Sequence, residues 1–317
     1  MFYHVKSLQF DARISKPDPR FARILLEQFG GPNGELKAAM QYFTQAFTCR
    51  VPYPDKYDLL MDIATEEFSH LEIVGATIQM LLGNTSGELK DLADSEDITT
   101  LMDGQEKKEH YMHQAMFNPQ FCNESGGGPT VTDSNGNPWT GAYVNANGDL
   151  TVDLRSNMAA EGRAKIVYEY LMKFTDDPSV KETLTFLMTR EIAHFQMFEA
   201  ALDSIQPNFP TGVRQGDARF SNKYFPLSMG EKAEGPWNTG KSTKLGEQWE
   251  IIEDPEAYIM ETKGLKEMDD PKAEKKQPKN DQLSKKLSKE RKNEIETAIK
   301  EGGNVWSDYD SNSTEEV

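Results

Sequence analysis

The chain has 317 residues, and 35 Lys plus Arg against 52 Asp plus Glu give a formal net charge of −17. That balance argues against a nucleic-acid binder, which needs a basic face for phosphates, and no run of about eighteen apolar residues predicts a membrane-spanning helix. The opening MFYHVKSLQFDAR lacks a basic region followed by an apolar stretch, so a cytoplasmic chain without a secretory signal is expected. Two cysteines, Cys49 and Cys122, cannot build a disulfide framework.

Residues 18 to 83 read as two helices joined by a Pro-containing turn. The segment RFARILLEQFGG ends in a Gly pair, and GPNGELKAAMQYFTQAF runs as helix until VPYPDK, where Pro52 and Pro54 forbid continuation. The next helix covers Tyr57 to Leu82 and stops at Gly83-Asn84. Residues 84 to 153 are rich in Gly, Asn and Asp and read as a long crossover, in which the alternating run AYVNANGDLTV predicts a small β-hairpin. Helical pattern returns over Leu154 to Phe174, breaks at Asp176-Asp177-Pro178, and resumes over Ser179 to Ile205. Two helices, a long connection and two more helices make a mainly α four-helix bundle with one crossover. The bundle domain is predicted over residues 1–206, an irregular extension at subunit contacts over 207–258, and a charged, flexible tail over 259–317.

Each predicted helix carries an apolar stripe with steps of three and four, and acids interrupt all four stripes. One runs Leu60, Ile63, Glu67, His70, Val74, and another runs Leu184, Leu187, Glu191, His194, Phe198. Both place a Glu-x-x-His on the face that should be core. The other two run Glu35, Ala39, Tyr42, Ala46 and Leu154, Asn157, Glu161, Ala164, Tyr168. Four glutamates and two histidines therefore project inward. Unpaired buried carboxylates are costly, and two divalent cations sharing them remove the difficulty. A glutamate from each of two helices plus a Glu-x-x-His from each of the other two is the dinuclear arrangement of ferritin-like bundles, with donors suited to manganese or iron. His4, His110 and His113 lie outside this pattern.

At these residues the sequence resembles the manganese catalases of the ferritin-like superfamily. The resemblance covers about residues 1 to 240 and rests on MFYHVKSLQF, GELKAAMQYFTQ, DIATEEFSHLE, NGNPWTGAYV and AAEGRAKIVYEYLMKFTDDPSVKETLTFLMTREIAH. Spore-coat members open in a similar way, so a spore coat is the second location the resemblance implies. It implies two manganese ions per subunit, held by Glu35, Glu67, His70, Glu161 and His194. Glu67 would bridge the ions, Glu35 and Glu161 would be terminal ligands, Glu191 would move protons, and Tyr42 would hydrogen-bond near the cluster. Glu66 leaves a register ambiguity that the stripe resolves toward Glu67.

The resemblance further implies a homohexamer, hydrogen peroxide as substrate, and a reaction converting two peroxides to two waters and oxygen. It also implies calcium at Asp58, Asp62, Ser228 and Gly230, although Pro226 stands where the family motif has Asn. Where some relatives carry a gating Arg, this chain has Ala160, and Arg163 is not its positional equivalent. Two other readings compete. A di-iron peroxidase or oxidase of rubrerythrin type is the first, and two isolated cysteines leave no rubredoxin module for it. A spore-coat structural protein of the same fold with little activity is the second, and the retained ligand set weighs against it.

Overall fold

Aspartates and prolines set where the helices start. The computed structural model describes residues 4–83, 128–206, 208–228 and 233–262. Helix α1 (Pro19–Gly30) opens with Pro19 behind Asp18, whose carboxylate accepts the amide of Phe21. Helix α2 (Glu35–Cys49) follows Gly34, and α3 (Pro54–Leu82) opens on Pro54. Asp149 accepts the amides of Thr151 and Val152 at the head of α4 (Leu150–Leu171). Asp177 accepts those of Ser179 and Val180 at the head of α5 (Pro178–Asp203). Each cap satisfies amides that lack a partner inside the helix, and proline at the first position gives up an amide that would be unpaired anyway.

Helix α2 packs along α3 and α4 along α5, while contacts of α2 with α4 and of α3 with α5 close the four-helix bundle. Helix α1 lies on α3. An apolar layer at one end joins Phe21, Leu25 and Leu26 of α1 to Ile73, Ile78 and Leu81 of α3 and to Val180, Leu184 and Leu187 of α5. Residues toward the other end, Ala46, Leu60, Ile63, Leu154 and Phe198, are buried as well. Every member of the four predicted stripes is buried, so the acids within them sit between apolar layers.

The structure departs from the sequence reading in two places. The first two expected helices are three, because the Gly30-Gly31 pair ends α1 and leaves it as a separate helix on α3. Gly30 tolerates no side chain there, since a Cβ would stand 2.5 Å from the backbone nitrogen of Thr132. The alternating run AYVNANGDLTV does not form a hairpin. It holds a 3-10 turn at Gly141–Tyr143, and its last residues already belong to α4. The Asp149 cap outweighs the β-branched Thr151 and Val152. The antiparallel pairing nearby is a single bridge, Thr132 to Pro138, around Asp133, which accepts the amides of Asn135 and Asn137. Of the predicted crossover, residues 84–127 lie outside the described residues, as do Cys122, His110, His113 and most of the tail.

The bundle unit runs through Ser204, and a second unit begins at Ile205. By itself, that second unit pairs two short parallel strands, β1 (Lys223–Tyr224) and β2 (Glu250–Ile251). It also holds a helix, α6 (Pro255–Thr262), whose Tyr258 ring packs edge-on against Phe225.

Asp177 has two roles, capping α5 and receiving the amide and hydroxyl of Ser15 at 2.6 and 2.8 Å. Asp177→Ala should cost about 1–2 kcal/mol, measured by denaturant unfolding of the metal-free protein. Despite its burial, the carboxyl is held below the ordinary aspartate value of 3.8 by these hydrogen bonds. The deficit relative to wild type should therefore narrow as pH falls below that value and Asp177 protonates.

Candidate metal centre

The four stripes meet at one point. One ligand atom each from Glu67, His70, Glu191 and His194 lies within 4.8 Å of the others, and all four residues are buried. Glu67 from α3 is central: Oε2 lies 3.0 Å from His70 Nδ1 and Oε1 lies 2.9 Å from His194 Nδ1. The remaining acids close in on the same nitrogens. His70 Nδ1 is 3.6 Å from Glu35 Oε2 and 3.7 Å from Glu191 Oε1, and His194 Nδ1 is 3.9 Å from Glu161 Oε2. The two imidazoles stack with centroids 5.5 Å apart. All six residues that sequence periodicity turned inward are thus brought together. Glu191, which the resemblance set outside the ligand set, stands in the inner group.

Two tyrosines anchor the outer acids across the bundle. Tyr42 of α2 donates to Glu161 of α4, and Tyr168 of α4 donates to Glu35 of α2. Burial, reinforced by the neighbouring carboxylates, raises both phenols well above their ordinary value, so they stay protonated and donate. The resemblance places Tyr42 near the cluster, whereas Tyr168 reads in the sequence only as a core residue. The signal that could have found it is its spacing, since Tyr168 follows Glu161 by the same seven residues that separate Tyr42 from Glu35.

Burial is the main force on the acids. It pushes Glu35 up to about 8 and Glu161 up to about 7, with the Glu67 charge adding to each. Glu191 is raised well above its ordinary value by burial and by the charges of Glu67, Glu35 and Glu161. Glu67 goes the other way, because hydrogen bonds and charge from both histidines outweigh its burial. The histidines rise in turn against their own desolvation: Glu66 and Glu67 bring His194 to about 10, and Glu35, Glu66 and Glu67 raise His70. Glu35 Oε2, Glu161 Oε2 and both oxygens of Glu191 have no hydrogen-bond partner. Each such buried oxygen costs about 1–3 kcal/mol, and cations beside them would relieve that cost, those of Glu35 and Glu161 as ligands. The donor set, carboxylates with two imidazoles around one point, fits a pair of hard-to-borderline divalent metals.

Three further residues surround the site without any sequence forecast of a role. Glu66 receives Arg190, Gln9 and His194 Nε2. Lys37 is buried with its Nζ unpartnered, and burial plus the Arg163 charge lower it to about 8 against the pull of Glu161 and Glu67. Asn157 joins Gln41 and Gln45 in a buried amide network one turn before Glu161. At the position of the absent gate, Ala160 is buried, and Arg163 instead donates to Asn33. Of the residues proposed for calcium, Asp58 and Asp62 are exposed on α3, Ser228 is exposed in the second unit, and Gly230 lies outside the described residues.

Comparison with known proteins follows the same line. The family model described as manganese containing catalase matches residues 1–293. A probable manganese catalase of Clostridium acetobutylicum is 38% identical over 231 residues, covering 72% of this chain and 91% of that protein. A manganese catalase of Bacillus subtilis is 33% identical over 270 residues, covering 81% and 92%. Among solved structures, KatB, a manganese catalase from Anabaena, superposes with a TM-score of 0.64 at 38% identity, covering 80% of this chain and all of that one.

The raised acids and histidines mean that the metal-free site stores protons at neutral pH. Divalent manganese added at pH 7 should therefore release protons, detectable with an indicator dye in weak buffer, and its affinity should rise with pH. The metal-free fold carries the opposite dependence. Groups with raised folded values contribute stability that is full at low pH and lost as pH rises from the ordinary carboxylate value of 4.5 through the folded values of about 7, 8 and 10. Its melting temperature should fall over that range, and bound manganese should abolish the fall.

Proposed function

The chain belongs to the manganese catalase family, and we infer from that membership and from the buried Glu/His centre that it is a catalase, converting two hydrogen peroxides to two waters and one oxygen. The observation that carries the reading is the convergence of Glu67, His70, Glu191 and His194 inside a bundle whose relatives are manganese catalases. Manganese is the cofactor, and a bound pair supplies the two electrons that each half-reaction takes or returns by moving between the divalent and trivalent states.

The finer assignments are part of the proposal. Glu67 would hold both ions, since its two oxygens reach separate imidazoles. Glu35 with His70, and Glu161 with His194, would hold one ion each, two per chain. Tyr168 and Tyr42 fix the outer acids so that a single oxygen of each turns inward. Reducing peroxide to water consumes two protons and oxidising it to oxygen releases two, so a catalase gains from a group that keeps them between halves. Glu191 suits that role, because burial and then the charges of Glu67, Glu35 and Glu161 favour its protonated form. The reading extends to calcium at Asp58, Asp62, Ser228 and Gly230 and to a homohexamer, as the family resemblance implies. No described helix is long and apolar enough to cross a membrane.

Manganese-loaded protein should evolve oxygen from peroxide, followed with an oxygen electrode, and a loaded protein that evolves none would overturn the assignment. Glu67→Ala and His70→Ala should lose both metal and activity. Glu191→Gln should keep two manganese per chain while kcat falls by about 10²–10⁴. Loss of metal in that variant would instead make Glu191 a ligand.

A further inference from the structure

The two Glu-x-x-His motifs are preceded by residues of opposite charge. Glu66 precedes Glu67 on α3, and Arg190 precedes Glu191 on α5. These two equivalent positions meet across the helix pair, where Arg190 Nε and Nη2 reach Glu66 Oε1 and Oε2 at 2.6 and 3.2 Å. The same carboxylate faces the outer nitrogens of both site histidines. His194 Nε2 lies 3.0 Å from Oε2, and His70 Nε2 lies 3.6 Å from Oε1. A third donor comes from outside the bundle helices, with Gln9 Nε2 on Oε1 at 2.8 Å.

We propose that Glu66, clamped by Arg190 and Gln9, is the shared positioning residue that holds both imidazoles with Nδ1 turned toward the metal centre. An imidazole offers a metal its lone pair only at the nitrogen without a proton. A hydrogen bond from the other nitrogen to a carboxylate fixes that choice and raises the basicity of the ligating nitrogen. Here one carboxylate hydrogen-bonds the outer nitrogen of His194 and attracts that of His70 by charge across 3.6 Å, with no hydrogen bond to it. Arg190 occupies the lone pairs that the rings leave over and holds the carboxylate on their outer side, away from the ions. The residue thus acts through His70 and His194, not on substrate, and the inference rests on those two histidines being metal ligands.

The test is manganese affinity of the metal-free protein, read from the free-ion paramagnetic resonance signal during titration, alongside the apo-protein melting curve. Wild type must first bind manganese, and failure there would count against the metal reading itself. Given that, Glu66→Gln and Glu66→Ala should melt close to wild type yet bind manganese about 10–100-fold more weakly. Arg190→Gln, which leaves the carboxylate but frees it, should weaken binding in the same direction by less. Glu72→Gln, an exposed acid on the same helix bonded to His4, should bind as wild type does. Affinity within twofold of wild type in Glu66→Gln overturns the proposal. Should neither Glu66 variant fold, unchanged affinity in Arg190→Gln overturns it instead.

Discussion

Four carboxylates in the interior of a helical bundle cannot all be charged without cations among them, and the rest of this molecule answers to that constraint. Taken alone, burial drives each acid toward its neutral form. The structure splits them: Glu67, flanked by two imidazoles, is the charged one, while Glu35, Glu161 and Glu191 are pushed upward. The metal-free site is therefore a held proton store in which the Glu67 charge is set against two protonated imidazoles. Apolar layers above and below keep water from relieving the strain. Replacing the protons by metal charge lets Glu35 and Glu161 ionise beside Glu67, which ties occupancy of the site to the state of the fold.

The stripes were legible in the sequence because a 3.6-residue period leaves little freedom about which side chains share a face. Glu35, Glu67, His70, Glu161, Glu191 and His194 follow from that period alone, and all are buried where the bundle converges. What periodicity could not supply was contact across helices. Tyr168 and Tyr42 look like ordinary aromatic core until the antiparallel passage of α2 and α4 sets each beside the other helix's acid. Glu66 reads as a neighbour of the ligand, and only the approach of α5 gives it Arg190 and His194. The hairpin misreading has a local cause: Thr151 and Val152 have strand character, but Asp149 holds their amides in a helical first turn.

The site also has an internal repeat that the chain's overall length conceals. Each half of the bundle supplies a helix with glutamate and tyrosine seven apart, then a helix with Glu-x-x-His. The halves are near-copies in their inward chemistry and differ at Glu66 and Arg190. A true copy would put two acids or two cations face to face there. The exchange of one for the other turns a repulsion into an ion pair, and sets one carboxylate facing the outer nitrogens of both histidines.

The crossed tyrosine bonds have a mechanical consequence. Tyr42 reaches from the first half-bundle to Glu161, and Tyr168 reaches back to Glu35. A slip of α2 against α4 by one helical turn, about 5.4 Å, would carry both phenols off their acids in the same movement. The two bonds thus act as paired teeth of a keyed joint, and the half-bundles seat in a single register. That register sets Glu35 and Glu161 opposite one another, so the reach of the two outer acids into the site is gauged by bonds made on their far oxygens.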